Sequence, residues 1–344
     1  PKLLIDIKKI SKKYGSVRNW LVSQDGKFIG INFSKASNDQ CEIRIFDVKK
    51  KMFLSDLISK NHYPYINEWK KDSSGFWYVQ GDLKSKVGEE KYNKKIYFHK
   101  LGDSIDKDKL FFDEGLAKED WPIFNSSYDE RYFYIFVHQK DGNTRILLAD
   151  AMVTGKLKFT NITGKIKGKS QASIDIKSKY LYLKTDFKAP KGVVLRKKIK
   201  NIGSGKWEVF VPETNFNLET WRLTKNHLFV EYLVNVSSRF YAFDLKTKKE
   251  KEIKLPSLGS IPGSIVDIDS KELFFNFSSF NTPGAQYKLD LKTLNYKKYW
   301  ERKVSVKSED IVVKQEWSKS KDGTKIPMFI VHKKGLKLNR NNPT

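Results

Sequence analysis

The chain has 344 residues, with 66 Lys and Arg against 40 Asp and Glu, a formal net charge of +26, and 47 aromatic side chains. So many aromatics argue against disorder, and no apolar run approaches the ~20 residues a membrane-spanning helix needs. The single cysteine, Cys41, excludes an intrachain disulfide framework and a cysteine-based structural zinc site.

The chain opens on Pro1-Lys2-Leu3-Leu4-Ile5-Asp6, which is no signal peptide, and Lys2 to Ile5 reads as one outer strand. The chain lacks an initiating Met and stops at Pro343-Thr344, so both ends read as cut from something longer. Sustained helical periodicity is absent, and short alternating or aromatic runs between polar turns predict many strands. Each repeat begins with a short apolar strand such as Trp20-Leu21-Val22, Ile66 to Trp69, Trp121 to Phe124 or Glu219 to Trp221. A polar turn follows, as in Ser23-Gln24-Asp25-Gly26 or Ser126 to Asp129, and then a second strand such as Phe28 to Asn32, Phe76 to Gln80 or Tyr132 to Val137.

A third strand ends on a polar residue before a lysine-rich turn. Its copies end at Asp47, His99, Asp150, Asp244 and Asp290, spaced 52, 51, 94 and 46 residues, with a degenerate copy expected at Val193 to Ile199. A period of ~45–50 residues holding four strands is that of a β-propeller blade. Six complete blades are predicted, roughly at 17–64, 65–117, 118–166, 167–213, 214–261 and 262–305. Beyond them, Val312 to Ser318 and Lys325 to Val331 flank Ser320-Lys321-Asp322-Gly323-Thr324, a hairpin outside the blade register.

The segment from Ser320 to Gly335 resembles the junction of the prolyl oligopeptidase family, where the chain passes from a seven-bladed propeller into an α/β-hydrolase domain. Ser278 to Gly284 and Trp207 to Glu213 resemble blade segments of the same family. The resemblance implies an all-β propeller over 1–305 with its first blade largely missing, and at 306–344 the junction and truncated start of the catalytic domain. It further implies the substrate-gating, non-catalytic part of a cytoplasmic serine endopeptidase that cleaves short peptides after proline. The implied partners are its own α/β-hydrolase domain and short proline-containing peptides.

No catalytic residue is expected within the chain, because the Gly-x-Ser-x-Gly nucleophile elbow is absent and Gly203-Ser204-Gly205 reads as a turn. Thr163 to Ser170 is one residue short of a phosphate loop and reads as an interblade loop. His62, His99, His138, His227 and His332 show no metal-ligand spacing, so neither metal nor other cofactor is expected. The sequons at Asn32, Asn125, Asn161, Asn235 and Asn276 fall in or beside strands and read as coincidental. Trp20, Trp69, Trp121 and Trp221 read as packing between blades. Trp121 is also the candidate substrate contact, since Lys118-Glu119-Asp120-Trp121 falls where the family's propeller approaches the peptide cavity. The lysine doublets, including Lys94-Lys95 and Lys197-Lys198, read as solvated surface, with no membrane and no specific nucleic-acid partner expected. The rival reading is a free-standing propeller scaffold or polyanion-binding protein.

Overall fold

The computed structural model describes residues 3–34, 41–59, 63–82, 86, 88–203, 206–305, 308–337, 339 and 341–342. It is almost entirely β, and in chain order its strands fall into six groups of four followed by a hairpin. The chain divides into two compact units, one of residues 1–187 with 197–206 and one of residues 188–196 with 207–344.

The first unit contains three four-stranded antiparallel sheets. Their strands are Ser16–Val22, Phe28–Ser34, Cys41–Asp47 and Met52–Ile58 in the first; Tyr65–Trp69, Gly75–Gln80, Lys95–Lys100 and Lys109–Phe112 in the second; and Trp121–Ser126, Tyr132–His138, Thr144–Asp150 and Thr160–Asn161 in the third. A further pair, Ser170–Ile174 and Tyr180–Thr185, follows.

The recurrent polar residues have a local cause. Ser23 Oγ accepts from the Phe28 amide at 3.0 Å while donating to Asp25 at 2.8 Å, which closes the first turn. Ser127, Asp129 and Tyr132 repeat this turn in the third sheet, at 2.9 and 2.6 Å. At the end of the third strand, Asp47 accepts from the Lys50 amide at 2.7 Å and Asp150 from the Met152 amide at 3.0 Å. These carboxylates satisfy turn donors that the sheet leaves free, which is why the turns hold a short acidic residue followed by lysines.

The first sheet buries both faces. On one, Ile43, Ile45 and Ile58 pack against Ile66, Trp69, Phe76 and Tyr78 of the second sheet. The approach is so close that a Cβ on Gly30 would sit 2.4 Å from Ile66 Cδ1. On the other face, Ile29, Ile31, Phe33 and Phe46 are covered by Ile5 and by Ile10 and Tyr14 of the helix that follows it. The second and third sheets share a core in which Trp77 stacks on Phe124 at 4.4 Å.

That helix, Ile7–Tyr14, stands after the place where the sequence reading expected an outer strand over Lys2 to Ile5, and corrects it. Leu3 to Asp6 is irregular, and Lys2 lies outside the described residues. The stop and start signals were present: Asp6 caps the Lys8 and Lys9 amides at 3.1 and 3.4 Å, and Gly15 ends the helix with φ 93°. The lysine doublets Lys8-Lys9 and Lys12-Lys13 are the helix's exposed face.

In the second unit, strand Val193–Lys198 pairs with Glu208–Val211, which meets the expectation of a degenerate repeat there. Two four-stranded sheets follow. One comprises Asn217–Leu223, His227–Val234, Ser237–Asp244 and Glu250–Ile253; the other comprises Ser260–Ile265, Glu272–Ser279, Thr282–Asp290 and Tyr296–Glu301. Their shared core includes Phe229, Phe240, Phe275, Phe277 and Tyr287. Asp244 and Asp290 close their turns onto the Thr247 and Thr293 amides at 2.6 and 2.7 Å, as Asp47 does in the first unit. The predicted hairpin is present as Ile311–Lys319 and Lys325–Lys333.

Candidate functional site: a buried lysine among aromatic rings

Trp121 begins the inner strand of the third sheet, directly across from His138. Its position is fixed from before and after. The buried Asp120 carboxylate accepts from the Ala117 amide at 3.0 Å, with Arg145 at 3.8 Å, and holds the turn that delivers the ring. Three residues on, the Phe124 amide donates to Asn67 Oδ1 at 3.1 Å and ties the strand to the second sheet. Asn32 performs the same service one sheet earlier, donating to the Pro64 carbonyl at 2.8 Å and accepting from the Ile66 amide at 3.2 Å. These side chains set Tyr65 and Trp121, the first residues of adjacent inner strands, edge to face at 6.5 Å.

Under the Trp121 ring lies Lys94. Its Nζ is 4.6 Å from the Trp121 ring centroid and 5.3 Å from that of Tyr63, and it donates to the Tyr63 carbonyl at 3.4 Å. Lys94 is only 2% exposed, and among the described residues no carboxylate pairs with it. Burial lowers its pKa to about 8, with the nearby Cys41 acting weakly in the other direction. The Asn93 amide donates to the Lys118 carbonyl at 2.8 Å, binding the segment that carries Lys94 to the one that carries Trp121. The surrounding lysines are paired outward, Lys118 with Glu89 at 2.6 Å and Lys140 with Glu119 at 2.9 Å.

Two other clusters in this unit are titratable. His99 is 1% exposed between two carboxylates, with Nδ1 2.7 Å from Asp108 and Nε2 3.2 Å from Asp56. Tyr78 donates to Asp108 at 2.7 Å and the Gly102 amide to Asp56 at 2.6 Å. Burial alone would depress His99, but the bonds to Asp108 and Asp56 outweigh it and raise the pKa to about 9. Every group here is satisfied, which marks a structural tie. On the inner strand of the second sheet, Glu68 is pushed up to about 8, first by burial and then by the Glu130 carboxylate. In the second unit, Glu231 is buried but accepts from Thr220 at 3.0 Å and Ser238 at 2.5 Å, so it too is satisfied. Lys94 differs from these: it is a desolvated charge that meets one carbonyl and two ring faces.

The tryptophans divide. Trp69 and Trp221 are buried, as expected of packing residues, and Trp121 is half-buried. Trp20 is 57% exposed, against expectation, because the outward-pointing residues of its strand, Ser16, Arg18 and Val22, are exposed with it. The lysine doublets were also overgeneralised: Lys94, just before the strand Lys95–Lys100, and Lys197, within Val193–Lys198, are buried. The Thr163 to Ser170 segment is the connection expected, and Ser170 opens a strand rather than a helix. His62 and the Ser204-Gly205 part of the predicted turn lie outside the described residues. Among the functional candidates, sequence reasoning reached Trp121 and missed Lys94, Tyr63 and Tyr65.

Residues 1–302 match the family model described as the prolyl oligopeptidase N-terminal β-propeller domain. The chain belongs to that family. The propeller is 28% identical over 350 residues to the prolyl endopeptidase of Elizabethkingia meningoseptica, covering 99% of this chain and 48% of that protein. It is 26% identical to the Dictyostelium discoideum prolyl endopeptidase, over 95% of this chain and 50% of that one. A solved structure from a study of two prolyl endopeptidases superposes on 98% of the propeller chain with a TM-score of 0.82 at 26% identity, using 50% of its own length. Prolyl oligopeptidase B of Galerina marginata shares the fold, with a TM-score of 0.82 at 22% identity. The chain thus spans about half the length of the relatives it matches.

Proposed function

We propose that the chain is the substrate-admitting propeller of a prolyl oligopeptidase-type serine endopeptidase that acts in the cytoplasm on short peptides containing proline. The observation that carries this reading is the family match across 1–302, together with relatives named prolyl endopeptidases that extend to about twice its length. In this reading, residues 1–305 form the propeller, of the family's seven-bladed type without most of its first blade, and 306–344 begin the α/β-hydrolase partner. The hairpin supports that division. Trp317 and Val331 on one face, and Ile326 and Met328 on the other, are 43–47% exposed on a sheet of only two strands, and both faces offer apolar side chains that an adjoining domain would cover.

The propeller supplies no nucleophile. It restricts access, and it shields the reaction centre from bulk water, which strengthens electrostatic interactions there. Trp121 contributes a partly open indole, a platform on which a proline ring can pack. The test is a domain exchange, in which this chain replaces the matching half of the E. meningoseptica enzyme. Cleavage of a proline-containing octapeptide, with a folded protein bearing the same sequence spared, supports the reading. A well-folded exchange product that binds its catalytic half and cleaves neither, or cleaves both equally, overturns it. In the active exchange product Trp121→Ala should raise KM several-fold with kcat little changed; an unaltered KM removes Trp121 from the site.

A further inference from the structure

We infer that the ammonium of Lys94, with the rings of Tyr63 and Trp121 against it, is a recognition site for a carboxylate of the incoming peptide. The inference rests on the reading of this chain as the peptide-admitting part of a peptidase. Its basis is a mismatch between burial and pairing. An ion removed from water costs several kcal/mol unless an opposite charge and full hydrogen bonding replace the lost hydration. Elsewhere in the same unit that replacement is made: Arg44 meets Glu42 at 2.6 Å, and His99 sits between Asp56 and Asp108. Lys94 is comparably buried and has instead the Tyr63 carbonyl, at a long 3.4 Å, and two ring faces.

An ammonium carries three donors, so the carbonyl leaves two to be aimed elsewhere. Ring faces attract a cation without neutralising it, and they exclude the water that would compete with an arriving anion. Access requires no unfolding. Trp121 and Tyr63, the rings that lie over Lys94, are each partly exposed, and rotation of such side chains takes nanoseconds or less. The outer lysines Lys118 and Lys140 are already held by Glu89 and Glu119, which leaves the inner cation as the one without an anionic partner in this cluster. A carboxylate entering here would make a charge-assisted hydrogen bond in a water-poor setting, the strong form of that interaction.

The experiment is calorimetric titration of the full 344-residue chain with three N-acetylated peptides: Ala-Pro-Ala with a free C-terminus, the same peptide amidated, and amidated Ala-Pro-Glu. The expected result is saturable binding of at least one carboxylate peptide, at least tenfold tighter than the neutral amide. The free-acid arm tests a terminal carboxylate and the glutamate arm tests a side-chain one. Lys94→Met should abolish the preference, and Lys94→Arg should retain part of it. Equal binding of all three peptides, no saturable binding of either carboxylate peptide at 10 mM, or an unchanged preference in a folded Lys94→Met chain would each overturn the inference. The two readings fail separately: an active exchange enzyme whose propeller ignores carboxylates sinks only this one, and a carboxylate-binding chain with an inactive exchange enzyme sinks only the other.

Discussion

His99 Nε2 lies 3.2 Å from a carboxylate oxygen of Asp56, so a histidine on the third strand of the second sheet is tied to an acid on the fourth strand of the first. Asp108 completes the arrangement from the other side of the ring at 2.7 Å. The fold therefore prefers the imidazolium, and its pKa rises from 6.5 to about 9. A histidine with a raised folded pKa contributes its stability fully below about pH 6.5 and loses it as pH climbs through about 9. His99→Gln leaves two buried acids without a cation, at a cost of about 3 kcal/mol near pH 6.5. Urea unfolding at pH 6.5 and pH 9.5 checks this: the gap between wild type and variant should narrow at the higher pH, and an equal gap at both would show that His99 is neutral in the fold.

Lys94 gives the opposite sign. Its folded pKa, about 8, lies below the ordinary 10.5, so folding penalises the charged form at every pH under about 8 and the penalty fades as pH approaches 10.5. Lys94→Met should stabilise the chain by about 1–3 kcal/mol at pH 7 and by almost nothing at pH 10.5. Melting temperatures at the two pH values decide it. A variant destabilised at pH 7 would mean that the rings and carbonyl already compensate the charge.

Glu68 should behave as a carboxyl whose ionisation the fold resists. Its pKa rises to about 8 through burial and the Glu130 charge, so wild-type stability declines between about pH 4.5 and pH 8. Glu68→Gln removes that decline, and above pH 8 the variant should be more stable by about 2 kcal/mol, with no difference near pH 4. Thermal unfolding at pH 4 and pH 8.5 tests this, and parallel pH profiles for the two proteins would refute it.

Gly30 tests the close contact of the first two sheets. A methyl group there meets Ile66 Cδ1 at 2.4 Å in a packed core, and overpacking of this kind costs about 1–3 kcal/mol. Gly30→Ala should lower the urea midpoint, and Ile66→Val in the same chain should recover part of the loss. A Gly30→Ala chain as stable as wild type would mean that the sheets separate readily.

The blade pattern was legible in the sequence because it has a repeated local cause. Asp47, Asp150, Asp244 and Asp290 each close a turn onto their own following backbone, so the period survives wherever the core residues vary. His99 stands at the same place but reaches Asp56 and Asp108 instead, a tertiary role that period alone does not reveal. The helix at Ile7–Tyr14 was legible in principle through Asp6 and Gly15, yet its lysines matched the turn signal used everywhere else. Trp121 could be singled out by position. Lys94 could not, because nothing in a Lys-Lys doublet says which member is buried; only the three-dimensional placement of Tyr63 and Trp121 does so.

The helix laid across one face of the first sheet does the work of a neighbouring layer. Ile10 and Tyr14 occupy the apolar surface of Ile31 and Phe33, and Tyr14 adds ring contacts at 5.4 and 5.3 Å with Phe33 and Phe53. The helix thus spares Ile31 and Phe33 from water without a further strand, and leaves the Lys12 and Lys13 side chains outward at its end.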